Sequence, residues 1–271
     1  MKLNFFFDID GTLLPFEKNI PESAAKAILD AKSKGHRLFL STGRAPFEVT
    51  EELLKLPFDG GVYSAGADIL FGDRQVFKAQ ADEKQRRIFL DVAKKYNLLW
   101  LIQGRANTFV TEKALDYYYD LSRKANSAVK LRNLKIVESY PDDEPMTKFY
   151  IMSEEGKILE ARKALEGPFS SVNNTTGLPE RNAAELMLAG MTKASGIKRL
   201  MSYLGEGLES TVGIGDGEND LDMIQVCRLG IAMGNSCKVL KDNADYITDD
   251  VNSDGLAKAI SYAIINIGGE I

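Results

Sequence analysis

The 271-residue chain is poor in the residues that most often announce a chemistry: it has two cysteines, one histidine and one tryptophan. Cys227 and Cys237 alone give neither a disulfide framework nor a multi-cysteine zinc pattern, and they suit a reducing cytoplasm. The single histidine, His36, follows Gly35 at an expected helix-to-strand turn, away from every motif below. It is expected to be an incidental surface residue, which sets aside phosphohistidine and Ser-His-Asp chemistry. Basic excess is missing too. A net charge of −5 gives no electrostatic footprint for nucleic acid and disfavours anionic membranes, although one small cleft can still be basic. No stretch approaches the roughly 20 apolar residues of a membrane helix, and the three-phenylalanine run behind one lysine is too short for a signal peptide. No obligatory protein partner is evident.

The remaining composition, 44% hydrophobic and 27% charged, is that of an ordinary soluble globular protein. The length allows one large domain or two smaller ones, and two is preferred. Leu3–Phe7 reads as a buried strand, residues 21–34 as a helix started by Pro21 and ended by Gly35, and Arg37–Ser41 as the next strand. A helical stretch begins at Pro46, and Val62–Ser64 is a third strand. From about Ala81 the texture changes to helices and short strands: helices near 82–96, 113–124 and 157–166, and strands near 98–102, 108–110, 148–152 and 184–189. A helix over 193–204 and a buried strand over 210–215 resume the alternation. The expected fold is therefore α/β, a Rossmann-like parallel sheet core formed by residues 1–81 and 187–271, with an inserted α+β cap domain over 82–186 acting as a lid.

Three fragments at strand ends carry the candidate chemistry. In Asp8-Ile9-Asp10-Gly11-Thr12 the strand pleat puts Asp8 and Asp10 on one side. Neighbouring carboxylates resist joint ionisation unless a cation or proton intervenes, so one can serve as nucleophile toward phosphorus and the other as general acid and base. Thr42 and Gly43 follow a strand and can receive phosphate oxygens, and Arg44 is suited either to substrate or to a nearby acid. Asp216, Asn219 and Asp220 supply hard oxygen atoms of the kind magnesium prefers, between the flexible Gly215 and Gly217. Lys193 opens a helix where its charge could neutralise Asp8 and a phosphoryl group. Both Arg105 and Arg181 are weaker candidates, chosen only because the substrate would be anionic.

Taken together, Asp8-Ile9-Asp10-Gly11-Thr12-Leu13-Leu14, Thr42, Lys193 and Gly215-Asp216-Gly217-Glu218-Asn219-Asp220 resemble the four motifs of the haloacid dehalogenase superfamily of phosphohydrolases. The likeness is to its Cof-type branch, which carries a large inserted α/β cap, and it extends over essentially the full length. The resemblance implies a magnesium-dependent phosphatase with Asp8 as nucleophile and Asp10 as acid, then base. It implies metal ligation by the Asp8 carboxylate, the Asp10 main-chain carbonyl and Asp216, with Asn219 and Asp220 supporting the loop. Thr42 and Lys193 are the phosphoryl contacts it implies, and with Gly43, Arg44 and Asn219 they make up the candidate phosphate or substrate contacts. The substrate would be a small phosphorylated cytosolic metabolite, with sugar phosphates favoured. Two departures stand out: Ala65-Gly66-Ala67 where relatives often have Asn-Gly-Ala, and Ala194 where Gly often follows the motif lysine. A phosphomutase and a non-hydrolytic, receiver-like phosphate sensor are the alternatives.

Overall fold

The computed structural model describes residues 1–15, 19–125, 131–172 and 178–268. Its chain divides into two compact units, residues 1–78 with 192–271, and residues 79–191.

The first unit opens with β1 (Asn4–Phe7), α1 (Glu22–Ser33), β2 (Arg37–Ser41), the short α2 (Glu51–Leu54), β3 (Gly60–Tyr63), β4 (Asp68–Phe71) and β5 (Arg74–Lys78). The inserted unit contributes α3 (Glu83–Lys95), β6 (Leu99–Gln103), β7 (Thr108–Val110), α4 (Glu112–Lys124), β8 (Leu134–Ile136), β9 (Lys148–Met152), α5 (Ile158–Leu165), β10 (Phe169–Val172) and β11 (Ala183–Leu188). The chain then returns with α6 (Lys193–Tyr203), β12 (Thr211–Gly215), α7 (Leu221–Val226), β13 (Leu229–Ala232), α8 (Lys238–Asn243), β14 (Tyr246–Ile247) and α9 (Gly255–Ala263).

In the first unit eight strands form one sheet in the order β14-β13-β12-β1-β2-β3-β4-β5. The pairs from β14 through β3 are parallel. The central strands are uninterrupted apolar runs, as expected where both faces are covered. Alternation along β1 divides them: Phe5 and Phe7 belong to the core beneath α1 and α9, while Phe6 packs with Phe39, Ile197, Leu200 and Met201 beneath α6. The parallel α/β core with a second sheet in the insert agrees with the expected fold class.

Several details differ from the sequence reading. The sheet is extended by an antiparallel hairpin, β4–β5, turned at Gly72-Asp73 with Gly72 at φ +55°. Its signal, a Gly-Asp pair between short runs, was present in the sequence. The stretch after Pro46 is not one helix: a 3₁₀ turn at Pro46–Glu48 and α2 are separated by Val49 and Thr50 in extended conformation, a preference of β-branched residues. His36 is not a surface residue but 2% exposed; its Nδ1 accepts the Leu3 N–H at 3.1 Å, and Phe5 lies edge-on to its ring.

The inserted unit has a six-stranded sheet in the order β10-β11-β9-β6-β7-β8, antiparallel except for β7 with β8. One face is packed by Phe89 of α3 and by Ile158, Ala161 and Leu165 of α5, and the other by Ala114, Tyr118 and Leu121 of α4. β11 pairs with β10 as far as Leu188, so residues 187–191 go with this unit, and the unit begins at Ala79. The boundaries at 82 and 186 read from the sequence shift accordingly.

Candidate active site

All the residues singled out by the motifs lie in the first unit. β12, β1 and β2 are adjacent and parallel, so their carboxyl ends fall side by side, and Asp216, Asp8 and Thr42 each follow one of them directly. Open α/β sheets bind ligands at such strand ends.

Asp8 is 5% exposed and accepts a hydrogen bond from Lys193 Nζ at 2.6 Å on Oδ1. The same ammonium reaches Asp220 Oδ1 at 2.5 Å. Lys193 is itself only 1% exposed, so it is no surface lysine. Its position is fixed by the first turn of α6. Thr192 Oγ1 accepts from Ser195 N, Ser195 Oγ accepts from Thr192 N, and Ala194 N–H donates to Asp222 Oδ2 at 3.0 Å. A cation at a helix N-terminus opposes the helix dipole, and here two buried carboxylates offset that cost.

Asp220 is wholly buried and organises the loop after β12. Its Oδ2 accepts from the main-chain N–H groups of Asp216 and Gly217, both at 3.0 Å. A Cβ on Gly215 would stand 2.4 Å from the Asp220 carboxyl carbon, so only glycine permits this close return of the loop. Asp216 Oδ1 accepts from Thr12 Oγ1 at 3.2 Å, which ties the loop to the β1 end. Gly11, at φ +84°, would place a Cβ 2.1 Å from Asp216 Oδ2, so the β1 turn also needs glycine. Asn219 sits within the 3₁₀ turn Glu218–Asp220.

The carboxylates of Asp8, Asp216 and Asp220 offer ligand atoms within 4.8 Å of one another. Burial, with Asp220 beside it, pushes Asp8 up to about 7 even though Lys193 pulls the other way. Burial, then Asp8 and Asp220, push Asp216 up to about 8. Burial opposes the charge on Lys193, but Asp220 and Asp8 outweigh it and hold the ammonium above its ordinary range. Three carboxylates facing one ammonium leave a formal excess of two negative charges, which suits one divalent cation. Both Asp220 oxygens are committed to Lys193 and the loop amides, which leaves Asp8 and Asp216 as the side chains with oxygen to spare.

Asp10 is not one of these three ligand groups, although its charge, like that of Asp220, raises Asp8. The Asp10 carboxylate is gripped by Arg44, with Nε 2.8 Å from Oδ2 and Nη2 2.5 Å from Oδ1. Of the two partners open to Arg44, the structure shows the acid. Thr42 is buried, and its Oγ1 accepts from Arg44 N at 3.1 Å. Gly43 lies between them. Arg105 and Arg181 are exposed, the former donating its main-chain N–H to Glu144 and the latter its Nε to Asn182.

Two residues not singled out in the sequence support the site. Thr12 holds Asp216, and Asn235, after β13, donates to the Gly11 carbonyl at 2.8 Å while accepting from Val251 N. Thr12 was visible within the first motif. Asn235 had only the local signal of Met233-Gly234-Asn235 at a strand end.

Residues 5–260 match the family of haloacid dehalogenase-like hydrolases. The chain belongs to this family. It is 30% identical to YkrA of Bacillus subtilis (strain 168), with 94% of this chain and 95% of YkrA covered. It is 28% identical to the 5-amino-6-(5-phospho-D-ribitylamino)uracil phosphatase YcsE of the same organism, over 95% and 94% of the two chains. Among solved structures, BT1666 from Bacteroides thetaiotaomicron, a phosphatase of the same superfamily, superposes with a TM-score of 0.82 at 22% identity, covering 97% of this chain and 95% of that one. BT4131, a sugar phosphatase of subclass IIB, gives a TM-score of 0.77 at 26% identity over 96% and 98%. The hydrolase family and its Cof-type branch thus agree with the motif resemblance. Among the described residues no helix is long and apolar enough to cross a membrane.

Proposed function

We propose that this chain is a magnesium-dependent phosphatase that hydrolyses small phosphorylated metabolites through an aspartyl-phosphate on Asp8. The observation that carries the reading is the group of buried Asp8, Lys193 and Asp220 with half-buried Asp216 at the ends of β1 and β12. Membership in a hydrolase family and likeness to phosphatases support it.

Asp8 and Asp216, with the Asp10 main-chain carbonyl, are the residues that would hold magnesium. The ion would supply charge stabilisation to the transferring phosphoryl group. An Asp8 carboxylate oxygen attacks phosphorus and the ester P–O bond breaks, while Asp10 gives its proton to the departing alkoxide. Water then attacks the same phosphorus, Asp10 takes a proton from it, the Asp8–phosphorus link breaks and inorganic phosphate leaves. Lys193, Thr42 and Gly43 would steady the phosphoryl oxygens, and Asn219 and Asp220 would hold the loop that carries Asp216.

The substrate class favoured is a phosphate ester on a polyhydroxylated carbon chain. A sugar phosphate and a ribityl phosphate share that feature, and relatives acting on each are similar to this chain. The inserted unit is the proposed source of specificity, and the two free cysteines suit a cytoplasmic setting. The test is phosphate release from sugar, sugar-alcohol and nucleotide monophosphates with magnesium present. The reading expects turnover without a bisphosphate activator, and its loss in Asp8→Asn with the fold retained. A bisphosphate requirement would indicate a mutase, and a stable phospho-Asp8 without turnover a receiver-like sensor.

A further inference from the structure

Packing does little to hold the Asp10 side chain, which is 44% exposed, against 8% for Asp8 and 0% for Asp220. What holds it is Arg44. Two N–H groups of one guanidinium meet the two oxygens of one carboxylate, a fork that fixes both the rotation and the plane of the acid. The guanidinium is only 22% exposed, and its remaining edge, Nη1, points at the Glu48 carbonyl at 3.5 Å.

The Arg44 backbone is held as firmly as its side chain. Its N–H donates to Thr42 Oγ1, and its carbonyl accepts from Ser64 N at 2.8 Å. The next residue, Ala45, donates its N–H to Glu48 Oε2 at 2.8 Å. Ser64 and Ala65 lie at φ +46° and +48°, and Ala65 N–H donates to the Thr42 carbonyl. Two consecutive non-glycine residues in the left-handed region are costly, and such conformations persist where the surroundings impose them. Arg44 therefore projects from a rigid platform made by the ends of β2 and β3, and its two strongest contacts are spent on Asp10 rather than left for a ligand.

We propose that Arg44 is a positioning residue for Asp10 and serves chiefly the second half of the reaction. This rests on the phosphatase reading above. Two-point binding matches a carboxylate with both oxygens accepting, which is the form that takes a proton from water. In that step water oxygen bonds to phosphorus, its proton passes to an Asp10 oxygen, and the bond from Asp8 to phosphorus breaks. Forming the aspartyl-phosphate from an ester with a good leaving group needs no proton from Asp10, so that step does not depend on the clamp.

The test uses the full chain with magnesium and p-nitrophenyl phosphate, in rapid-mixing and steady-state measurements of the wild type, Arg44→Met and Arg44→Lys. The expected result is a burst of p-nitrophenolate at a rate within about 3-fold of wild type. It is followed in Arg44→Met by turnover about 10- to 100-fold slower, the size of effect that general base catalysis carries. KM does not rise, Arg44→Lys recovers part of the slow phase through one remaining contact, and Arg44→Met adds little in the Asp10→Asn background. The proposal is overturned if KM rises about 10-fold with kcat unchanged, which makes Arg44 a substrate ligand. It is equally overturned if the burst slows as much as turnover, or if both variants turn over normally. Should Arg44→Met not fold, Arg44→Lys decides by the same criteria. A wild type that forms no aspartyl-phosphate from any phosphate ester instead removes the phosphatase reading, which separates the two failures.

Discussion

Lys193 and Asp8 are separated by 185 positions in the chain, yet Lys193 Nζ stands 2.6 Å from Asp8 Oδ1, with both side chains almost completely buried. One ammonium serves two carboxylates, so its removal leaves uncompensated charge where water cannot reach. We expect Lys193→Met to lower the stability of the metal-free protein by about 3 kcal/mol, the scale of breaking a buried ion pair. Added magnesium should restore part of that loss by cancelling the same charge. Urea unfolding with and without magnesium checks both, and equal stability of variant and wild type without metal would show that the pair contributes nothing.

The protonation of Asp8 and Asp216 makes metal binding and stability depend on pH in opposite directions. Their folded values, about 7 and about 8, lie above the ordinary 3.8, so the folded chain holds protons that the unfolded chain releases. The stability this contributes is complete below about pH 4 and is lost as pH rises through 7 and 8. Magnesium competes with those same protons, so its affinity should climb from pH 6 to pH 8.5. Titration calorimetry in buffers of differing ionisation enthalpy would register proton release on binding at pH 6.5. Binding without proton release there would contradict the assignment of these two acids.

The elements that carry the site were legible because each has a strong local cause. β1, β2 and β12 are apolar runs ending in small polar residues, and α6 has its capping pair in Thr192 and Ser195. What could not be read was which side chains meet across the sheet edge. The partner of Arg44 stayed open because Asp10 lies 34 positions away on another strand end, and spacing within a motif says nothing about that distance. His36 was misplaced for a related reason: a turn after Gly35 is ordinarily exposed, but here the start of β1 lies beside it and Leu3 N–H needs an acceptor. The hairpin β4–β5 was missed because its second strand, Arg-Gln-Val-Phe-Lys, is too polar to show as a buried run.

Ala65 lies at φ +48°, in the left-handed region that favours glycine. An L-residue in the left-handed region is strained by about 1–2 kcal/mol, whereas glycine removes that strain at about 0.5–1 kcal/mol of added chain entropy. Ala65→Gly should therefore raise stability by a few tenths to 1 kcal/mol. Thermal melts of the purified variant decide the matter. A clear drop in melting temperature would mean that the Ala65 methyl group packs usefully enough to outweigh its backbone strain.

His36 should make the chain sensitive to mild acid. Burial holds its imidazole below the ordinary 6.5, helped by the N-terminal ammonium, Lys34 and Lys2. In the folded chain Nδ1 is an acceptor for Leu3 N–H, and Nε2 is buried with no partner among the described residues. The unfolded chain takes up a proton near pH 6.5 that the folded chain resists, so this stabilisation is present above that pH and is lost as pH falls through it. His36→Gln keeps an acceptor for Leu3 but cannot titrate. Wild type should accordingly lose stability relative to His36→Gln between pH 7.5 and pH 5, a difference that cancels the shared contribution of Asp8 and Asp216. Urea midpoints that stay parallel across this interval would show that the ring is protonated as readily in the folded chain as in the unfolded one.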